Sequence, residues 1–474
     1  MILSISWKNI WRNKTRSLVI LIAITLGLLA GVFSVGVMMG MVEQRVESAI
    51  HNEVSHVQIH HPKFLENDEM EYTINKPEEI KNALQNIDDV AAISGRLKIN
   101  AMANTSGNSS GVTILGVHPE AEKQVTDIDN NIIQNTGSFF EDDRTNQIVI
   151  GEKLADKLNL VNYKITDETL MQLKNTKLDD EIIASLDSLK GKTFRSEEDF
   201  VEKLTLILGE KKTSRYERLI KNHAEDFRTR SKIVLTFQDT EGNLTGGAFR
   251  VAGIFHIDNS AFEERMAFVQ YDDLARIAGF SENAVHEIAV LANKRAQSSN
   301  IASAINDSFP GVEARIWTEI QPDLALTTEY IELSYYIIII FILLALAFGI
   351  INTMLMAVLE RIKELGMLMA IGMNRLRVFG MIMLETVYLT LTGAIIGMAI
   401  GQGLIQFFAE KGIDLSMYAE GFEAIGYGAV IYPEITLRFY LGVTLLVVAT
   451  GIMSSIYPAM KALRLNPVEA TRIE

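Results

Sequence analysis

SWKNIWRNKTRSLVILIAITLGLLAGVFSVGVMMGM, residues 6–41, joins a basic, Trp-bearing patch to a long apolar run. Whether that run is a cleaved address or a working helix decides the class of the molecule. A secretory signal carries an apolar region of about 7–15 residues before a small-residue cleavage site, whereas a membrane span needs about 20. No charge occurs from Ser17 through Val42, 26 residues. At about 1.5 Å per residue such a helix reaches roughly 39 Å, more than the ~30 Å hydrocarbon core. The run therefore reads as a retained span. Lys8, Arg12, Lys14 and Arg16 precede it and Glu43 closes it, so the positive-inside bias puts the N-terminus in the cytoplasm. Trp7 and Trp11, four apart with cations beside them, fit a short interfacial elbow helix within residues 1–16.

The same length argument finds three further spans. Leu333–Leu359 is free of charge, as is Thr386–Ala409, which Val378–Leu384 extends backwards past Glu385, and as is Phe439–Met460. Four spans put both termini on one side. The segment between spans two and three holds Arg361, Lys363, Arg375 and Arg377, while Glu410–Glu434 holds one Lys against five acids, so the short segments agree on orientation. The expected organisation is a cytoplasmic elbow (1–16), transmembrane helix 1 (17–42), a large periplasmic domain (43–329), helix 2 (330–359), a cytoplasmic coupling helix (360–377), helix 3 (378–409), a periplasmic loop (410–435), helix 4 (436–460) and a cytoplasmic tail (461–474). Glycines recur every four residues at Gly27/Gly31, Gly36/Gly40 and Gly393/Gly397/Gly401, a spacing that lets another helix backbone approach closely. The Met clusters, including Met38, Met39, Met354 and Met356, read as adaptable apolar filling.

The net charge of −15 resides mainly in residues 43–329, an acidic balance that argues against nucleic acid as a partner. Cys is absent, which removes disulfides, thiolate chemistry and Cys-based metal sites. Alternating and β-branched runs predict strands at 53–61, 90–104, 111–117, 146–151, 231–239, 248–255, 266–270, 286–292 and 312–319, with helices at 77–87, 271–279 and 298–309. The strand–helix–strand units at the two ends predict one layered α/β subdomain, and the strands between them a second lobe. Val161–Arg230 is polar and helical in spacing, with Ile182, Leu186 and Leu189 on one face and a Ser196-x-x-Asp199 helix start, and reads as a helical insertion. The expected fold class is thus an α-helical membrane protein with four transmembrane helices and a large α/β extracytoplasmic domain carrying a helical insertion.

No motif for covalent chemistry is present. Gly191-Lys192-Thr193 resembles the end of a phosphate-binding loop, but Leu186 stands where the first Gly is needed. His51, His56, His60 and His61 lack a carboxylate at a spacing that completes a metal site. The informative stretch is ERIKELGMLMAIGMNRLRVF, residues 360–379. Glu360/Lys363 and Arg361/Glu364 pair at three-residue spacing, and Leu365, Leu368, Met369 and Gly372 give an apolar face, the character of a short helix on which a soluble partner could push. Glu385 is an acid within a span, where acids are paired or functional.

That stretch resembles the coupling-helix signature of the FtsX/MacB permease superfamily, on Glu360, Arg361, Glu364, Leu365, Gly366, Leu368, Ala370, Ile371 and Gly372. The glycine ladder after Glu385, Tyr457-Pro458-Ala459 and Asn466-Pro467-Val468-Glu469-Ala470 are similar to the superfamily's third span and tail. HVQIHHP, IVIGEKLADKL and FRVAGIF look most like lipoprotein-release permeases of the LolC/LolE type. The resemblance implies a MacB-like periplasmic domain and a non-catalytic permease subunit in the cell inner membrane. Its partners would be a separate ABC ATPase dimer that holds the ATP and Mg, a second permease copy or paralogue, a lipoprotein substrate with a periplasmic carrier, and membrane lipid. Glu360, Arg361, Glu364, Leu365, Gly366, Ala370 and Gly372 would couple to the ATPase. Export in the manner of MacB and non-transporting, FtsX-like regulation of a cell-wall hydrolase stand as alternatives. If acyl chains are the cargo, Met38, Met41 and Val42 on span one and Leu333, Ile337 and Phe341 on span two are expected to line an apolar cleft at the outward ends of those helices.

Overall fold

The computed structural model describes residues 2–67, 69–140, 144–176, 178–229 and 231–463; the Asn466–Ala470 motif and most of the tail lie outside them. The chain divides into two compact units. One gathers the chain up to Gln44, Ala325–Asp414 and the chain from Val430; the other gathers Arg45–Leu324 and Leu415–Ala429.

Among the described residues four helices are long and apolar enough to cross a membrane, and they lie in Lys14–Val54, Pro322–Glu360, Arg375–Lys411 and Leu437–Leu463, mostly within the first unit. The elbow is a separate helix, Ile2–Ile10. Each span outruns its charge-free stretch. The first runs from Lys14 to Ala49 and continues as a π-helical turn, Ile50–Val54. A charge does not end it, because Arg45 and Glu53, both buried, pair at 2.7 Å. The second begins at Pro322 rather than at residue 330; proline suits a helix start because its missing N–H would be unbonded there anyway. The third is opened by Asn374, whose side chain accepts from the Leu376 N–H at 3.0 Å.

Glycine sets how closely these helices meet. A Cβ on Gly393 would stand 2.9 Å from Ile24 Cβ, on Gly397 2.7 Å from the Thr25 carbonyl oxygen, and on Gly401 3.2 Å from Val32 Cγ1. The ladder of the third span is therefore its seam with the first, and the Thr25 hydroxyl donates across it to the Gly393 carbonyl at 3.2 Å. On the first span Gly27 and Gly31 do the same for the second, whose Leu346 and Ile339 side chains would come within 3.0 Å of an added Cβ.

The second unit is built on strands β1 Val57–His60, β2 Val90–Asn104, β3 Ser109–Val117, β4 Gln147–Gly151, β5 Val161–Lys164, β6 Thr193–Phe194, β7 Glu225–Phe227, β8 Lys232–Gln238, β9 Leu244–Phe255, β10 Met266–Gln270, β11 Glu287–Ala292 and β12 Glu313–Ile316. Two lobes are present, but they are not separate sheets. One sheet of nine strands runs β12-β1-β11-β2-β3-β10-β4-β9-β8, with an added β2–β8 pairing. Its first part, β12-β1-β11-β2, joins the two terminal βαβ units in the order 4-1-3-2 of a split βαβ fold. In its second part Met102 of β2 pairs with Thr236 of β8, so six strands from β2 round to β8 close on themselves and leave no free edge. The 15-residue β2 belongs to both.

Arg96, on β2, sits within the first part. It is 1% exposed and donates to Glu122 at 2.6 and 3.1 Å and to Glu287 of β11 at 2.6 Å, while the Ser94 hydroxyl donates to Glu122 at 2.7 Å.

The insertion is not purely helical. Helices Asp167–Asn175, Asp180–Asp187, Glu197–Leu208 and Glu210–Ala224 surround a small sheet, β6-β5-β7, because Val161 and Tyr163 alternate inward as a strand does. Ser196 caps its helix as the start signal predicts, accepting from the Asp199 N–H at 3.2 Å. Ile182, Leu186 and Leu189 are buried, and Tyr163 stacks on Phe200 at 5.1 Å. The loop expected over 410–435 is likewise split: Leu415–Ala429 belongs to the second unit, where Glu423 accepts a 2.5 Å bond from Arg218 of the insertion.

Candidate coupling site

The residues singled out between spans two and three converge. Helix Pro322–Glu360 ends, and after Arg361 a short helix, Ile362–Ala370, turns off it. Arg361 donates to both carboxylate oxygens of Glu385 at 3.3 Å and to Glu364 at 3.4 Å. Asn9 of the elbow donates to the same Glu385 at 2.6 Å. Arg12 grips Glu364 with both terminal nitrogens, one at 2.6 Å, and Arg16 pairs with Glu360. The expected Arg361/Glu364 pair is present, whereas Glu360 pairs with Arg16 across the unit rather than with Lys363, which is exposed. The elbow, the start of span one, the end of span two, the short helix and span three are thus tied by one polar knot. A cavity of about 590 Å³ opens beside it, lined among others by Asn9, Arg12, Arg16, Glu364 and Glu385.

Burial alone would raise the Glu364 carboxyl, but the hydrogen bonds from Arg12 and Arg361 hold it below the usual carboxylate range. Glu385 is 6% exposed; its charge is compensated rather than solvated, as an acid at that depth requires. The elbow is further seated by the Ser6 hydroxyl donating to the Met381 carbonyl at 3.2 Å and by Trp7, edge-on to Tyr388 at 5.9 Å.

The short helix has two faces, assigned differently from the sequence reading. Leu365 and Gly366 are buried, so Gly366 faces inward. Its exposed residues are Lys363, Met367 and Ala370, continued past its end by Ile371, Gly372 and Leu376; Ile371 is 80% exposed and Leu376 71%. Ile371 and Leu376 fall outside the helix proper, where helical periodicity does not place them on a face. Gly372 has φ +101°, a conformation open to glycine, and so ends the helix.

Two family models match. Residues 17–197 match the MacB-like periplasmic core domain and residues 336–467 the FtsX-like permease C-terminal domain, the latter covering the knot's acceptors and the glycine ladder. The chain belongs to the FtsX/MacB permease superfamily. Among superfamily relatives, it is 35% identical over 172 residues to the Macrolide export ATP-binding/permease protein MacB of Chlorobium luteolum, covering 36% of this chain and 22% of that one. It is 30% identical over 126 residues to the Uncharacterized ABC transporter permease YknZ of Bacillus subtilis, covering 27% of this chain and 28% of that one. The matched stretches span less than a third of either relative. The crystal structure of the extracellular domain of the noncanonic ABC-type transporter YknZ aligns with 55% of this chain and 98% of that one at 12% identity and a TM-score of 0.29; the fold stands on the topology described above.

The residues expected to line a cleft between spans one and two are not brought together. Val42 is buried and Met38 and Met41 are half-buried. Leu333, Ile337 and Phe341 are exposed, because at 3.6 residues per turn they lie on the side of their helix opposite Ile339, which meets span one at Gly31. Nor do the N-terminal histidines converge on a ligand site. The His56 ring accepts from the Ala292 N–H at 3.2 Å, His51 lies 3.4 Å from Glu47, and the buried His60 ring contacts Gln58 at 3.0 Å.

Proposed function

We propose that this chain is the permease subunit of an ABC transporter driven by a separate ATPase dimer, which holds the ATP and Mg and docks on the short helix Ile362–Ala370. The polar knot carries this reading. A load applied to that helix is shared at once among the elbow and spans one, two and three through Arg12, Arg16, Arg361 and Glu385, so that closure of the ATPases moves the spans together instead of bending one of them. Exposed Met367, Ile371 and Leu376 offer the apolar contact, and the spans Lys14–Ala49 and Pro322–Glu360 are unbroken helices able to transmit it. The distribution of Lys and Arg supports an inner-membrane orientation with cytoplasmic termini and residues 43–329 in the periplasm. Two copies, or this chain and a paralogue, would make the working pair.

For cargo we propose lipoproteins, released from the membrane to a periplasmic carrier. The exposed apolar face of span two at Leu333, Ile337 and Phe341 supports this, since an acyl chain within the bilayer can lie against it. Similarity to proteins named for macrolide export favours a second reading, export of a small molecule or peptide.

The test is reconstitution with the cognate ATPase in lipid. Met367→Asp with Ile371→Asp should abolish the permease's effect on ATP turnover while the spans remain assembled; unchanged turnover overturns the docking assignment. A photo-crosslinker at Ile337 should capture a lipoprotein before ATP and lose it afterwards. Capture of bulk phospholipid alone, with turnover stimulated by a macrolide, would decide for export.

A further inference from the structure

Three strand ends of the second unit bring together residues that no sequence motif connects. In β4 and β9, which run parallel, Gly151 stands in register with Phe255, so the next residue of each, Glu152 and His256, leaves the sheet at the same edge. β10 runs antiparallel to β4, with Ala267 opposite Ile150. The helix that precedes it, Ser260–Arg265, therefore returns to that edge and delivers Glu263. Gly151 permits the approach: a Cβ there would stand 2.4 Å from the Glu263 carbonyl oxygen.

His256 Nδ1 lies 2.8 Å from Glu152 Oε2 and 3.0 Å from Glu263 Oε1, and a donor atom from each of the three residues falls within 4.8 Å of the others. Two further observations separate this from an ordinary ion pair. Neither carboxylate lies where an Nδ1–H would point, so that nitrogen has no aligned hydrogen bond despite the short distances. Glu263 is 0% exposed; its Oε1 accepts from the Ile257 N–H at 2.6 Å, but its Oε2 is buried without a hydrogen-bond partner. A buried carboxylate oxygen left so is costly. The two separations from His256, near 3 Å, approach the roughly 3.3 Å that ligands bonded at about 2.0–2.1 Å to a tetrahedral ion keep from each other.

We propose that Glu152, His256 and Glu263 bind a divalent transition-metal ion, with zinc the best match to one imidazole and two carboxylates. The fourth position faces a cavity of about 470 Å³, which Glu152 and His256 line together with Glu217, Arg218 and Glu225 of the insertion and Glu423 of the 415–429 segment. An exchangeable water, or a carboxylate supplied by a ligand, completes the coordination there. Bound metal pins the ends of three strands from the closed lobe at the wall of that cavity.

The experiment uses the full chain in detergent, stripped with a chelator, dialysed against Zn²⁺ and then against metal-free buffer. The expected result is one equivalent of zinc retained per chain and a raised Tm, with both lost in His256→Gln and in Glu263→Gln. No metal retained by the unaltered chain, or retention by the variants equal to that of the unaltered chain, overturns the site. Should a variant fail to fold, Co²⁺ bound to the unaltered chain decides: intense tetrahedral absorption supports the site, and a weak octahedral spectrum refutes it.

Discussion

Glu385 is held by two different donors. Arg361 supplies charge from the end of span two, and Asn9 supplies a hydrogen bond from the elbow. Removing the carboxylate charge leaves Arg361, only 21% exposed, with Glu364 as its remaining acid. Glu385→Gln should cost less than Glu385→Leu, because an amide oxygen still accepts from Asn9. Breaking a buried pair from one side costs about 3–5 kcal/mol, so Glu385→Leu is expected near the lower end and the Arg361→Leu/Glu385→Leu double variant well short of the sum. Thermal unfolding of the four proteins in detergent gives the coupling, expected at about 1–3 kcal/mol; strict additivity refutes it. Arg96 makes the complementary case. With Glu122 and Glu287 both depending on it, Arg96→Met leaves two buried acids uncompensated and should destabilise the second unit by about 3–5 kcal/mol, whereas replacing all three residues with apolar ones should recover much of the loss. Denaturant unfolding of the full chain, followed by near-UV CD, distinguishes the two.

Elements were legible in the sequence wherever one local pattern decided them. Charge-free runs located all four spans, and β-branched alternation placed the nine strands of the main sheet within a few residues of where they lie. Partners distant in sequence were not legible. Nothing near Met102 announces that Thr236 lies beside it, and nothing near Leu415 shows that it leaves the membrane unit. Helix ends were missed for a different reason: a hydropathy reading counts Arg45 and Glu53 as a stop, although they pair with each other eight residues apart along the continuing helix. The glycine ladder was readable as a helix face, but not which helix it meets. The third span carries its own control for that seam. Gly397→Val adds atoms where a Cβ already meets the Thr25 carbonyl at 2.7 Å and should cost about 1–3 kcal/mol by overpacking. Gly403→Ala, with nothing within 4 Å of its Cβ, should be neutral or stabilising by about 0.5–1 kcal/mol, since glycine is the poorer helix former. Melting temperatures that fall equally in both variants would remove the seam's special status.

At the scale of the whole molecule, acid is the condition to which the second unit should respond. Burial holds the His56 imidazole down to about 4, against 6.5 for a free histidine, with the neighbouring His51 adding to the effect. A group depressed in the folded state contributes stability that is complete above pH 6.5 and lost as pH falls toward 4. At 1.36 kcal/mol per unit that is about 3 kcal/mol as an upper bound. His51 shifts the other way through its bond to Glu47, so its contribution is present below pH 6.5 and fades above it. The unfolding midpoint in urea should therefore drop between pH 6.5 and 4, and His56→Gln should flatten that slope; a slope unchanged by the substitution would assign the acid response elsewhere. The Glu152, His256 and Glu263 cluster escaped the sequence reading because 104 residues separate its first two members and no period links them; only the register of β4 against β9 does. The sharing of β2 between lobes has its own result in time. Arg96 and its acceptor Glu287 are 191 residues apart, and a ribosome adds about 5–20 residues per second. For roughly 10–40 s of every synthesis, one side of β2 has no ladder to join. A holding chaperone would find its substrate in that interval, and a slow codon run between the two strands would lengthen it.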